Sequence, residues 1–409
     1  MSKITDLIAK YCPNGVEYKS IEEICEKVFA GGTPNTRRAD FYDGDIPWLR
    51  SGEVDFNQIY ETEKTITQAG YAGSSAKWIK AQSVLLAMTG ATVARSAVNE
   101  IELTANQSVC AMEVKPDIVN YKFLYYIIAN KYSEIKGMAQ GALTSINLSI
   151  VKKIEVPIPP LPVQQEIVRI LDSFTELEAE LEAELEARKK QYEYYRDKLL
   201  NFADISQGGV RQMELCEIVA YKRGKGLSKS DKGTGNIPIV LYGELYTSYG
   251  NYITDIVSFA SEKATKQSMP ISSGTVLLPI SSTTKEAQIG RASVLKSEDI
   301  YLGGDAVALM PTQLITADYL MHVMNSGVFE KNKMKCVKGT TIRHLDVNKL
   351  LKIKIPIPPL AEQERIVAIL DKFDALVNDI SDGLPAEINA RRQQYEYYRD
   401  KLLSFPMAA

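Results

Sequence analysis

The sequence predicts an α+β chain: two mixed α/β globular domains separated by two long antiparallel coiled-coil helices, arranged as an internal pseudo-two-fold repeat. Three observations predict it. Residues 191–200, QYEYYRDKLL, recur letter for letter at 394–403. PIPPL at 157–161 returns at 356–360, and QQEIVRILDSF at 164–174 returns, diverged, as QERIVAILDKF at 363–373. Apolar residues after each PIPPL fall at steps of three and four, the seam of a coiled coil. The boundaries read from the sequence are 1–157 and 206–356 for the globular parts, 158–205 for a central helix and 357–409 for a C-terminal one.

A length of 409 residues, 45% hydrophobic and 24% charged, suits two to three domains, and each half can bury its own core. No run of 18 apolar residues appears, so no membrane span is expected. The start, MSKITDLIAKYC, lacks the parts of a signal peptide. The five cysteines are scattered without a CxxC pair, which fits a reducing, cytoplasmic setting and argues against structural zinc or disulfides. Two histidines, His322 and His344, make a histidine metal site an unpromising reading.

The globular parts echo each other faintly. Gly15-Val16 with Ile21 and Ile24 matches Gly209-Val210 with Leu215 and Ile218. Ile46-Pro47 before Gly52-Glu53 matches Ile237-Pro238 before Gly243-Glu244. The runs at 83–86 and 109–112 match those at 275–278 and 307–310. Short apolar runs bounded by Gly, Ser, Asn and Pro read as strands. Residues 121–131 and 318–326 read as short helices. Between the echoes the residues differ strongly, as two unlike recognition surfaces on one scaffold would.

From Leu161 one helix is expected through about 40 residues, roughly 60 Å. Its seam holds Ile167, Ile170, Phe174, Leu177, Leu181, Leu185, Tyr192, Tyr195 and Leu199. Pro162 is harmless near its start, and Asn201 and Gly208-Gly209 end it. Residues 176–187 are three copies of Glu-Leu-Glu-Ala, whose four-residue period makes the seam drift. Two readings stand for them: a solvated acidic face with leucines inward, or a spacer whose copy number sets length. The second helix carries Ile366, Ile369, Phe373, Leu376 and Ile380 on its seam. It is interrupted at Asp382-Gly-Leu-Pro385 and resumes with Ile388, Tyr395, Tyr398 and Leu402. Phe174 to Tyr192 is 18 residues and Phe373 to Tyr395 is 22, a difference of one four-residue unit. Antiparallel pairing of the seams is expected to set the globular parts at opposite ends.

The net charge of −3 is unevenly spread. Residues 1–160 carry 17 Lys+Arg and 18 Asp+Glu; residues 203–357 carry 19 and 14, or +5. The acid lies on the helices, a polarity compatible with nucleic acid meeting the globular parts. Lys222, Arg223, Lys225, Lys229 and Lys232 form the densest basic cluster, around Arg223-Gly-Lys-Gly226. Its glycines would let backbone approach a phosphate closely; a plain solvent-exposed turn is the rival reading. In the first part, Arg37 and Arg38 end a polar loop, and Arg50, Lys77 and Lys80 follow. Thr89-Gly-Ala-Thr92 leading to Arg95 pairs in position with Ser281-Ser-Thr-Thr284 leading to Lys285 and Arg291. Gly141-Ala-Leu-Thr-Ser145 pairs with the segment 339–344 that holds Arg343, preceded by Lys338. Such hydroxyls and cations can contact phosphates or base edges, and an arginine can hold a guanine in bidentate fashion. Ordinary turn chemistry is the competing reading for each.

In the tails, Tyr192, Tyr195, Tyr395 and Tyr398 fall on the seam and Tyr194 and Tyr397 point elsewhere. Identity around the whole circumference exceeds what a seam requires. It marks Tyr194, Arg196, Lys198, Tyr397, Arg399 and Lys401 as two equivalent docking surfaces for one kind of partner.

The ordered combination of repeat, PIPPLxxQxxIVxIL helix start, QYEYYRDKLL tail and central four-residue repeat resembles the specificity subunit of type I restriction–modification enzymes. The resemblance covers the whole chain. It implies two target recognition domains, each reading one half of a split, asymmetric site on double-stranded DNA. It also implies helices that dock two methyltransferase subunits, a restriction subunit that can join, and a four-residue repeat that tunes the gap between half-sites. Catalysis would belong to the partners: the chain shows no N/D-P-P-F/Y/W motif, no GxGxxG and no phosphate loop. No cofactor is expected on the chain, and S-adenosylmethionine would sit on the methyltransferase. The alternative is a coiled-coil scaffold or adaptor that does not read DNA.

Overall fold

The computed structural model describes residues 2–139, 145–202, 210–283, 288–378 and 383–408. Packing divides the chain into two compact units: residues 1–180 with 388–409, and residues 181–387. Each unit thus joins one globular part to helix segments from both copies of the repeat.

The first unit is built on a five-stranded sheet of Cys25–Ala30 (β1), Asn57–Ile59 (β2), Ser83–Ala87 (β3), Ser96–Asn99 (β4) and Val109–Val114 (β5), in the order β1-β5-β3-β4-β2. The second has Val219–Arg223 (β6), Tyr252–Ile253 (β7), Val276–Pro279 (β8), Ser293–Leu295 (β9) and Ala306–Pro311 (β10), in the order β6-β10-β8-β9-β7. The two orders are the same, and in both only the last pair, β4 with β2 and β9 with β7, is parallel. A four-stranded sheet in each unit repeats the likeness: Tyr42–Leu49 and Ile237–Val240 each take one antiparallel and one parallel neighbour. The sequence echoes are therefore equivalent strands.

Why these runs form strands is visible in their burial. β3 is buried at all five positions and β8 at all four, flanked on both sides. Such strands read as unbroken apolar runs because both faces meet core. Over one face lies Tyr121–Asn130 in the first unit, capped by Asn120, and Ala317–Met324 in the second, capped by Thr316.

The central helix spans Leu161–Leu200, and the C-terminal helices span Leu360–Asn378 and Leu384–Leu403. The break falls where the sequence predicts, with Pro385 in the first turn of the last helix, where its missing N–H costs nothing. Asp382, Ile380, Gly208 and Gly209 lie outside the described residues. Leu376, assigned to the seam, is 39% exposed, and Val377, four residues after Phe373, takes the inward place at 1%; Tyr195 is equally exposed but keeps its seam contact with Phe373. A step of four keeps the Val377 side chain on the Phe373 face.

The two helix starts are held alike. The Gln164 side chain is fully buried; its Oε1 accepts from the Asn120 N–H at 2.8 Å, and its Nε2 donates to the Ile118 and Pro159 carbonyls at 3.0 and 2.7 Å. Gln363 does the same to the Thr316 N–H and to the Leu314 and Pro358 carbonyls, each at 2.9 Å. The glutamine of PIPPLxxQ is thus a buried clamp between the helix and the globular part. Further along, Phe174 meets Tyr395 and Tyr398 with ring centroids 6.2 and 5.8 Å apart, and Phe373 meets Tyr192 and Tyr195 at 6.4 and 5.9 Å. Glu178 pairs with Arg392, so the helices of the first unit run antiparallel. Each identical tail closes on the phenylalanine of the other copy. The C-terminal segment also returns to the first globular part, where Tyr18 donates to the Phe405 carbonyl at 2.8 Å.

Candidate nucleic-acid interface

The strand order gathers the predicted hydroxyls and several predicted cations at one end of each five-stranded sheet. In the second unit Arg223 closes β6 beside Val307, and Pro279 closes β8 opposite Ala306. Ser281 and Ser282 pair with His344 and Arg343, and the Ser281 hydroxyl lies 2.9 Å from His344 Nδ1. Arg291 begins the return toward β9, its N–H donating to the Gln288 carbonyl at 3.0 Å. The first unit repeats the plan. Thr89 forms an antiparallel bridge with Ser145, and the Arg95 N–H donates to Thr92 at 2.9 Å. Thr92 in turn donates to the Ser51 carbonyl at 2.8 Å, which brings Arg50 alongside.

The residue before each arginine is left-handed: Ala94 at φ 68° and Gly290 at φ 71°. The N–H groups of these two residues donate back to Ala87 and Pro279 at 2.8 and 2.9 Å. Arg95 and Arg291 therefore occupy one structural position. Lys285 and residues 141–144, predicted for the same loops, lie outside the described residues.

The remaining predicted residues differ in what holds them. Lys80 pairs with Glu26 at 3.0 Å and approaches Glu113 at 3.8 Å, at the opposite end of the sheet. Lys77 lies over the Phe29 ring, 5.5 Å from its centroid. Arg38 is held by both oxygens of Asp40 at 2.7 and 2.6 Å and lies over Phe41, while Arg37 is exposed. Lys338 pairs with Asp346 at 3.2 Å beside His344. Arg343 donates to Met334 Sδ at 3.4 Å and has further interactions.

One glycine of the basic loop has a cause within the protein itself. Gly224 is buried, and a Cβ there would strike the Gly303 carbonyl. Its N–H donates to Ala306 at 3.0 Å, and Leu227, 6% exposed, anchors the loop in a small core. Close packing of the protein on itself requires glycine there, and the anchored loop projects Arg223 and Lys225 into solvent. Lys232 of the same cluster turns inward to the buried Glu244 at 2.7 Å.

The tails present Tyr194 and Tyr397, both 61% exposed, each with a lysine (Lys198, Lys401) 5.9 Å from its ring centroid. Arg196 and Arg399 lie instead over the seam tyrosines Tyr192 and Tyr395, at 5.5 and 5.7 Å. The residues predicted for docking thus split into an outward Tyr–Lys pair and an arginine that lies against the seam.

The model of the type I restriction modification DNA specificity domain matches twice, over residues 13–187 and 208–390. The chain belongs to this type I specificity family. It is 32% identical over 407 residues to a putative type I restriction enzyme specificity subunit of Haemophilus influenzae, covering 95% of this chain and 96% of that one. It is 39% identical over 301 residues to the EcoR124I/EcoR124II specificity subunit of Escherichia coli, covering 70% and 71%. Among solved structures, a chain from a study of assembly and conformational transition of the type I R-M system aligns with a TM-score of 0.66 at 16% identity, over 96% of this chain and 98% of that one. The S subunit of M. genitalium aligns at 0.54 and 18%, over 95% and 96%. At those identities the likeness speaks for the fold. Among the described residues no helix is long and apolar enough to cross a membrane, and no group of three His, Cys, Asp or Glu side chains could hold a metal ion.

Proposed function

We propose that this chain is the non-catalytic DNA-recognition subunit of a type I restriction–modification complex, working in the cytoplasm. The observation that carries the reading is the pair of units with one strand order and unlike side chains at the same sheet end. Residues 1–157 and 206–356 are the two target recognition domains, and 158–205 and 357–409 the conserved helices. Each domain reads one half of a bipartite, asymmetric site. Arg50, Thr89 and Arg95 serve the first half; Lys222, Arg223, Lys225, Lys285, Arg291 and Arg343 serve the second. Arg37, Arg38, Lys77 and Lys338 flank these sets, and Lys80 is the weakest of the candidates because it sits at the far end of the sheet. Read as a pseudo-two-fold repeat, the two copies are expected to present the half-sites in opposite orientation.

The outward Tyr194–Lys198 and Tyr397–Lys401 pairs each dock one methyltransferase subunit, with Arg196 and Arg399 stiffening the surface behind them; a restriction subunit can join. Methyl transfer and its S-adenosylmethionine belong to those partners. The three Glu-Leu-Glu-Ala units act as a length element between the half-sites.

The test is selection from a randomised duplex pool by the chain assembled with its methyltransferase. A split motif is expected, and deletion of one Glu-Leu-Glu-Ala unit should change its gap while both halves persist. Recovery of no motif by an intact complex would instead favour a scaffold that does not read DNA.

A further inference from the structure

Arg50 and Arg95 of the first unit differ in pairing from Arg223, Lys225 and Arg291 of the second, while Arg37 of the first unit is exposed and without an ion pair among the described residues. In the first unit Arg95 pairs with Asp55 at 2.7 Å, and Arg50 pairs with Glu53 at 3.5 Å and with Glu63. Asp55 and Glu63 are themselves more than half exposed, so these carboxylates stand at the same surface as the arginines. In the second unit Arg223 and Lys225 stand on the anchored loop at the equivalent end, both exposed, with no ion pair among the described residues. Arg291, at the position equivalent to Arg95, likewise has none. The surrounding sequence follows the same division, with 19 basic to 14 acidic residues over 203–357 and 17 to 18 over 1–160.

We infer that the two recognition domains divide the work unequally: the second supplies most of the phosphate grip through Arg223 and Lys225, and the first is a gated reader whose Arg50 and Arg95 rest on Glu63 and Asp55 until DNA displaces them. This rests on the DNA-recognition reading above. A cation that meets a phosphate from the unpaired state neutralises it and releases about 0.9 counterion per contact. A cation that leaves a carboxylate for a phosphate exchanges one ion pair for another, and the freed carboxylate gathers salt cations in return. The first exchange strengthens binding to any sequence and makes it salt-dependent. The second gives little net electrostatic gain, so it proceeds only where base or shape contacts add to it. Exposed pairs are weak, so each gate holds back binding by roughly fivefold or less.

The experiment uses the full chain assembled with its methyltransferase and a duplex carrying the methylated site found by sequencing. Binding is titrated across salt concentrations. The double variant Arg223→Gln/Lys225→Gln should lower the slope of log K against log salt by about 1.8, two contacts at about 0.9 each. Arg50→Gln/Arg95→Gln should lower it by less than half as much while losing discrimination at the first half-site. Asp55→Asn leaves every cation in place and removes one gate; it should tighten binding to a duplex with a scrambled first half-site several-fold more than to the intact one. Equal slope losses from the two double variants, or an Asp55→Asn complex with unchanged discrimination, would overturn the division of labour. A wild-type complex that binds both duplexes alike would instead overturn the recognition reading beneath it.

Discussion

In the first unit Asp172 of the central helix accepts from the Tyr126 hydroxyl at 2.6 Å and the Lys122 ammonium at 2.9 Å. In the second, Asp371 at the same place in the repeat accepts from the Tyr252 hydroxyl at 2.7 Å and faces Nε2 of the fully buried His322 at 2.8 Å. Both aspartates tie a long helix to the helix above the sheet, yet the partners have been exchanged. The glutamine clamp and the Phe–Tyr–Tyr packing, by contrast, are the same in both units. What is invariant between the units holds helix to domain and tail to helix; what varies is at the sheet ends and in the polar ties beside them. One side of each tail closes on a phenylalanine of the other copy, and another side presents the same Tyr–Lys pair.

The sharpest way to break this comparison is to remove the clamp from either unit. Gln164→Leu strands an N–H and two carbonyls in a buried site, as does Gln363→Leu. Each should cost about 3 kcal/mol in its own unit, at 1–3 per stranded group with partial relaxation. Denaturant unfolding followed by hydrogen exchange reads the units separately, and a large difference between the two losses would deny their equivalence. Next comes Phe174→Ala against Phe373→Ala. Both rings are half-buried between two tyrosines, so each change should cost about 2 kcal/mol, below the range for a full core phenylalanine.

A third test separates the units by pH. Glu166, buried in the first unit, is held down to about 2 from 4.5 by hydrogen bonds from Arg169 and Lys3, with their charges adding to the effect. Its folded value lies below its unfolded one, so the stabilisation is complete above pH 4.5 and is lost as pH falls toward about 2. The second unit has Arg365 at the matching position. Glu166→Gln should therefore reduce stability at neutral pH and flatten the acid dependence of the first unit alone, measured as midpoint against pH. The smallest effect is expected from Ala94→Gly. It removes a left-handed alanine at the position Gly290 fills in the other unit, and should stabilise by up to about 1 kcal/mol in thermal unfolding.

Much of this arrangement is legible in the sequence. Spacing of apolar residues places the helices and their break, and short apolar runs place β3, β5, β8 and β10. The pairing of residues 89–95 with 281–291, and of the segments near 145 and 344, points to loops that the structure brings to one sheet end. Three things are not legible. Gln164 and Gln363 look like solvated helix residues because their partners are backbone groups with no sequence signature. Which tail packs on which phenylalanine depends on chain return, which periodicity does not encode. The neutralisation of Arg95 by Asp55 joins residues 40 apart, so the sequence shows the cation without the carboxylate that occupies it.

The most direct test of the central claim, that each unit reads its own half of a split site, is methylated-site mapping in cells that express a hybrid chain. In it, residues 211–350 are replaced by the corresponding part of the Haemophilus influenzae relative, beside the cognate methyltransferase. One half of the methylated motif should change, with the other half and the gap retained. A motif unchanged in both halves, or altered in both, would contradict the account.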